Sequence, residues 1–225
     1  MAMGMTGGCG SALQGRSPGG ASIDRWVQRF GGVDEGAAAR VRQACQPVLR
    51  WVKDQPGFKG QPVSLFVLAS DFPSAYAWPH GEIFVTRGLA ALLTDNELAA
   101  AVAHELGHLI DGGQDEGVGL GGLRRGAWGF WGRTTPKPQT LDGDEQWVDI
   151  ECRADAAGVK ILTDAGLAPT AMTSMLKKLR EAHRTRSTPG SGGGDSEGTS
   201  GGASGGTSGG AFERRIRLVE AAVKQ

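Results

Sequence analysis

Five residues carry the clearest chemistry in the chain: His104-Glu105-Leu106-Gly107-His108. On an α-helix, positions i and i+4 share a face, so two imidazoles can reach one metal ion while the intervening Glu flanks the place of an attacking water. Zinc at such a site acts as a Lewis acid and lowers the pKa of its water toward ~7, and the Glu takes the proton. The flanks Ala99–Ala103 and Leu109-Ile110 are uncharged, and burying two His and a Glu among them is costly unless something pairs them. A metal does so. The competing reading is a pair of core histidines with partners elsewhere in the protein.

The third ligand decides the kind of site. A three-histidine pattern needs Gly at 111 and His at 114, where the chain has Asp111 and Gln114. A carboxylate from a later helix is the alternative, and Glu151-Cys-Arg-Ala-Asp155 offers one. Glu151 would then bind the metal, and Asp155, one turn on, would accept a hydrogen bond from a ligand histidine and set its tautomer. Taken alone, the two acids would read as a solvated helix face. Cys152 is set aside as a ligand, because adjacent helical residues point about 100° apart and the His–His–Glu set already makes a three-ligand site with an open position.

These residues need elements to hold them. Apolar periodicity predicts helix from about Ser22 to Val52, broken at Gly31-Gly32, and Val63–Ala69 and Glu82–Thr86 read as strands. The stretch 71–81 between them holds two prolines and reads as a loop or edge segment, not a central strand. Arg87–Leu93 reads as a short helix. Thr94-Asp-Asn-Glu97 is a capping box that opens the buried metal-ligand helix, Asp95 to about Ile110. Helical pattern resumes from about Glu145 to Gly166, again from Pro169 through Leu179, and finally over Phe212–Val223. The expectation is a mostly helical α+β domain with a small β-sheet.

Composition limits the alternatives. Of 38 glycines in 225 residues, seven fall within residues 1–20, eleven within 187–210 and ten within 107–132. The expected organisation is therefore a flexible tether at 1–21 and one domain at 22–225, with an irregular insert at 111–144 and a flexible Gly/Ser/Thr loop at 187–210. Trp128, Phe130 and Trp131 in the insert suggest a lid, a surface contact or simple cover over the metal helix. Lys+Arg and Asp+Glu are 24 each, with no basic block, which argues against nucleic acid as a partner. No apolar run approaches the ~20 residues of a spanning helix. Gly8-Cys9-Gly10-Ser11 has the form of a mature bacterial lipoprotein start, making Cys9 a candidate lipid anchor; an incidental Cys9 is the rival reading. Cys45 and Cys152 could bridge in an oxidising compartment.

The motifs together resemble the M48-type zinc metallopeptidases, gluzincins that include bacterial periplasmic members. Ala75-Tyr-Ala-Trp-Pro79-His-Gly81-Glu-Ile-Phe-Val-Thr-Arg-Gly88-Leu is similar to the family's NAFALPGGxIxVTRGLL segment. Thr94–His108 resembles its zinc helix, and Glu151–Gly158 its ExxADxxG helix. The resemblance implies one zinc per chain on His104, His108 and Glu151, Glu105 as general base, and polypeptide substrates lying extended along an edge strand at Ala75, Tyr76 and Ala77, beside His80. It implies an endopeptidase of cell-envelope protein quality control, with a cytoplasmic location as the alternative. Arg215 matches the arginine of the family's ERI motif. The His-Pro pair usually found before that motif is missing, with Gly209-Gly210 ahead of it, and His80 or His183 would have to stand in. That departure motivates a second reading, a zinc-containing chaperone-like or binding module with weak or blocked catalysis.

Overall fold

Strand β1 (Ser64–Leu68) alternates its side chains between two layers: Leu65 and Val67 enter the main core, Phe66 and Leu68 a smaller cluster on the opposite face. β3 (Glu82–Thr86) repeats the pattern, with Ile83 and Val85 on the main side and Phe84 on the other. This is the period-2 signature of a sheet covered on both faces. The computed structural model describes residues 24, 27–58, 63–78, 81–111, 128–129, 141–187 and 205–224. The sheet order is β1-β3-β2-β4, with β2 at Ala75–Ala77 and β4 at Trp128–Gly129. β1 and β3 run parallel, while β2 is antiparallel to both β3 and β4.

The helices are α1 (Glu35–Lys53), α2 (Arg87–Leu92), α3 (Asp95–Asp111), α4 (Leu141–Asp164), α5 (Thr170–Ser187) and α6 (Gly205–Ala222). The architecture is α+β and mostly helical, as the residue pattern predicts. In α1, Ala38, Val41, Cys45, Val48 and Val52 are all buried, the 3–4 spacing of one helical stripe. Its N-cap, Asp34, accepts a hydrogen bond from the Ala37 N–H at 3.1 Å. The chain enters through Gly31 and Gly32, both at positive φ (81° and 88°), where the sequence predicts a helix break. Arg40 ties α1 to the α2–α3 turn through the Leu93 carbonyl (2.8 Å) and Asp95 (2.9 Å).

Central to the fold is α3. Leu98 to Ala103 and Leu106 are fully buried, and the helix packs against α1, α4, α5 and β2. Its N-terminus is anchored by Glu97, which is 3% exposed. Glu97 accepts hydrogen bonds from the Thr94 N–H (2.8 Å) and hydroxyl (2.9 Å), the Ser174 hydroxyl and the Lys178 ammonium (2.6 Å). Burial alone would raise its pKa, but Lys178, Ser174 and Thr94 pull it from 4.5 down to about 2. The folded carboxyl thus binds its proton less readily than the unfolded one. The stabilisation is complete above pH 4.5 and is lost as pH falls toward about 2. It amounts to on the order of 1–2 kcal/mol, because Lys178 reaches solvent and its pull is screened. Glu97→Gln is expected to melt lower than wild type at pH 6, with the gap closing by pH 2; a gap that stays constant across that range would refute the assignment.

Several elements depart from expectation. β2 lies between β3 and β4, so the segment holding Ala75–Ala77 is neither a loop nor a sheet edge. Pro73 precedes the strand instead of interrupting it, so it removes no ladder donor. β4 and the start of α4 at Leu141 add regular structure within 111–144. α5 continues to Ser187, and α6 begins at Gly205, well before its apolar face; glycine's low helix propensity is a weak prior that a continuing helical ladder overrides. Cys45 and Cys152 are free thiols, not a bridge. Cys45 is sealed in the core, where burial and then the charge of Asp95 push its pKa up to about 12, while Cys152 is half-buried on α4. The tether at 1–21 with Cys9, the aromatic residues Phe130 and Trp131, His80 and Trp26 lie outside the described residues.

Candidate metal centre

Two helices cross at unusually short range to build this site. A Cβ placed on Gly107 of α3 would lie 2.6 Å from the Ala154 carbonyl oxygen of α4. One on Gly158 would lie 3.2 Å from the His104 backbone nitrogen. Glycine at both positions lets the backbones close up, and that closeness brings Glu151 to the two histidines. His104 Nε2 is 3.4 Å from Glu151 Oε2, His108 Nε2 is 3.4 Å from Glu151 Oε1, and the two Nε2 atoms are 3.1 Å apart. All three donors fall within 4.8 Å of one another, in a buried group.

The surroundings order this group. His104 Nδ1 lies 2.8 Å from Asp155 Oδ1, which leaves its Nε2 facing Glu151. Arg215, on α6 and 1% exposed, donates from Nε to Asp155 Oδ2 (2.7 Å) and from Nη2 to Asp155 Oδ1 (2.8 Å), and its Nη1 is 3.0 Å from Glu151 Oε2. Burial opposes the charged form of every acid here. In Glu151 and Asp155 the adjacent Arg215 more than reverses this and holds both carboxyls below their ordinary range. His104, also buried, is lifted to about 9 by Asp155 and Glu151, whereas burial leaves His108 below its usual value. Glu105 behaves differently: burial and the charge of Glu151 raise it to about 8, against the opposing charges of His104 and Arg215.

The donor chemistry fits a metal ion. Both oxygens of Glu151 and both of Glu105 are buried without a hydrogen-bond partner, Glu151 having only its ion-pair contacts. Buried carboxylate oxygens left in that state are costly, and a cation among them removes the cost. Residues 38–120 match the model of peptidase family M48.

Residues 38–120 thus resemble a peptidase segment of the M48 type. The matched residues run from α1 to just beyond α3 and include His104, Glu105 and His108; Glu151, Asp155 and Arg215 lie outside them. Metalloprotease LoiP of Escherichia coli (strain K12) is 28% identical over 141 residues, 57% of this chain and 56% of the relative. The chain therefore spans little more than half the length of the curated relative it matches. M48 peptidases are metal-dependent, and the buried His–His–Glu group could bind a metal.

The structure brings His104, Glu105, His108, Glu151, Asp155 and Arg215 together. β2, with Ala75, Tyr76 and Ala77, packs against α3, and Tyr76 is close enough for the charge of Glu105 to raise its pKa, after burial as the main cause. His183 lies on α5 with its ring 6.3 Å from that of Phe212, whose ring is 5.7 Å from the Arg215 guanidinium carbon. Sequence reasoning missed the depth of Arg215 in this site. A signal was present: Phe212, Arg215, Ile216 and Val219 share one helical face, and an arginine on an otherwise apolar face requires a buried partner. It also missed β4, whose two residues carry no strand pattern of their own.

Proposed function

We propose that this protein is a zinc-dependent endopeptidase acting on extended or unfolded polypeptides, with zinc held by His104, His108 and Glu151. The observation that carries the reading is the convergence of those three donors beside Glu105, a buried carboxylate with no hydrogen-bond partner. When bound, zinc would supply Lewis acidity to a water and to the scissile carbonyl. Glu105 would take the proton of the attacking water and return it to the leaving amine. Asp155 holds the Nδ1 side of His104 and thereby its ring orientation. No covalent link between enzyme and substrate is required.

Substrate would lie along β2, pairing by backbone with Ala75, Tyr76 and Ala77, with His80 nearby. In the structure that edge is paired with β4, through Tyr76 with Gly129 and Ala77 with Trp128, so a peptide using it takes β4's place. The Gly8-Cys9-Gly10-Ser11 segment supports a lipid-anchored envelope protein and, with the family likeness, a quality-control role. No helix among the described residues is long and apolar enough to cross a membrane.

The edge held by β4, together with the missing His-Pro pair, favours one rival reading: a zinc-containing binding or chaperone-like module with blocked catalysis. Metal analysis with a casein-cleavage assay separates them. One zinc per chain, with cleavage lost to chelator and restored by zinc, is expected. Zinc without cleavage of any unfolded polypeptide favours the rival, and a chain that holds no metal overturns both.

A further inference from the structure

Glu151 and Asp155 stand one turn apart on α4, both buried, so their like charges face each other across that turn. Arg215 bridges them. The guanidinium of Arg215 grips Asp155 through two nitrogens and reaches Glu151 with the third, and Asp155 Oδ1 is also the atom beside His104 Nδ1. One side chain of the last helix is thus joined to two of the three metal donors, directly to Glu151 and through Asp155 to His104.

Neighbouring contacts fix the register of that helix. Phe212, Ile216 and Val219 are buried in the main core. Arg214 pairs with Asp149 of α4 at 2.7 Å, Lys177 of α5 pairs with Glu220 at 2.8 Å, and Arg180 of α5 pairs with Glu213. These exposed pairs contribute little individually. The buried arginine is different, because its planar fork can hold one carboxylate at two points and still reach a second, which a lysine ammonium cannot reproduce.

We propose that Arg215 is a positioning residue of the metal centre and that α6 belongs functionally to that centre, although it lies outside both ligand motifs. Docking of α6 holds Glu151 and, through Asp155, His104 in place, so metal affinity would depend on α6. The inference rests on the reading of His104, His108 and Glu151 as ligands.

The test compares the full-length wild type with Arg215→Gln, Arg215→Lys and Arg214→Gln. Zn2+ affinity is measured by chelator competition, coordination geometry by the visible spectrum of the Co2+ form, and folding by circular dichroism and melting. Arg215→Gln is expected to lose about 10- to 100-fold in Zn2+ affinity and to alter the Co2+ spectrum. Arg215→Lys should keep the wild-type fold yet recover only part of the affinity, and Arg214→Gln, which loses only the exposed pair, should bind as wild type does. Wild-type affinity and spectrum in folded Arg215→Gln and Arg215→Lys would overturn the proposal while leaving the ligand reading intact. If Arg215→Gln does not fold, Arg215→Lys decides by the same criterion. A wild-type protein that takes up neither ion would overturn the ligand reading and this proposal with it.

Discussion

Replacing Glu105 with Gln is expected to lower cleavage of unfolded casein by about 10²–10⁴-fold, with metal content and melting temperature close to wild type. Gln keeps the shape and much of the polarity of the side chain but cannot take a proton from water. Glu105 is fully buried, neither of its oxygens has a hydrogen-bond partner, and it is not among the three clustered donors. Its replacement by Gln therefore leaves the three donors in place. The informative comparison is with Glu151→Gln, which should lose metal and activity together. Casein cleavage that survives in Glu105→Gln would sink the assigned role of this carboxylate, and loss of metal from that variant would make it a ligand instead of a base.

The parts of this site that were legible in the sequence are those encoded within a few turns of one element. The spacing of His104, Glu105 and His108 on an uncharged helix declares both a shared face and a need for compensation, whereas Glu151 and Asp155 declare only a shared face and gain meaning beside that helix. The α1 stripe and the β1 and β3 strands follow from period alone. What stayed hidden depends on partners distant in sequence. β2 looks like a loop between two prolines because the pairing that makes it a strand comes from β3 on one side and from residues 128–129 on the other. Glu97 reads as half of a local cap, yet two of its donors, Ser174 and Lys178, belong to α5. Arg215 could be matched to a family motif, but nothing local says that its fork spans two acids some 60 residues upstream. Glycine enters the reading in two unlike ways. Glycine-rich composition marked 187–210 as a loop, whereas in α3 and α4 single glycines act by having no side chain where two backbones meet.

That last point carries the second large effect. Gly107→Val is expected to destabilise the protein by about 3 kcal/mol and to lower activity by about 10²-fold or more, even in the fraction that remains folded. A Cβ at 107 would sit 2.6 Å from the Ala154 oxygen and 3.0 Å from its Cα, both backbone atoms of a helix that has no rotamer with which to yield. The helices must then separate, and α4 carries Glu151 and Asp155 with it, while His104 and His108 stay on α3. A shift of about 1 Å is enough to spoil a three-donor site. Gly158→Ala provides the contrast: its closest clash, 2.4 Å, is with the terminal methyl of Met172, a flexible side chain that can swing aside, though the His104 backbone nitrogen at 3.2 Å still allows little room. Its cost should be clearly smaller. Melting curves and Zn2+ titrations of the two variants separate the cases, because a seam that controls the site predicts affinity lost in proportion to the forced separation. Equal behaviour of Gly107→Val and wild type in both measurements would show that the close crossing is not what brings Glu151 to the histidines.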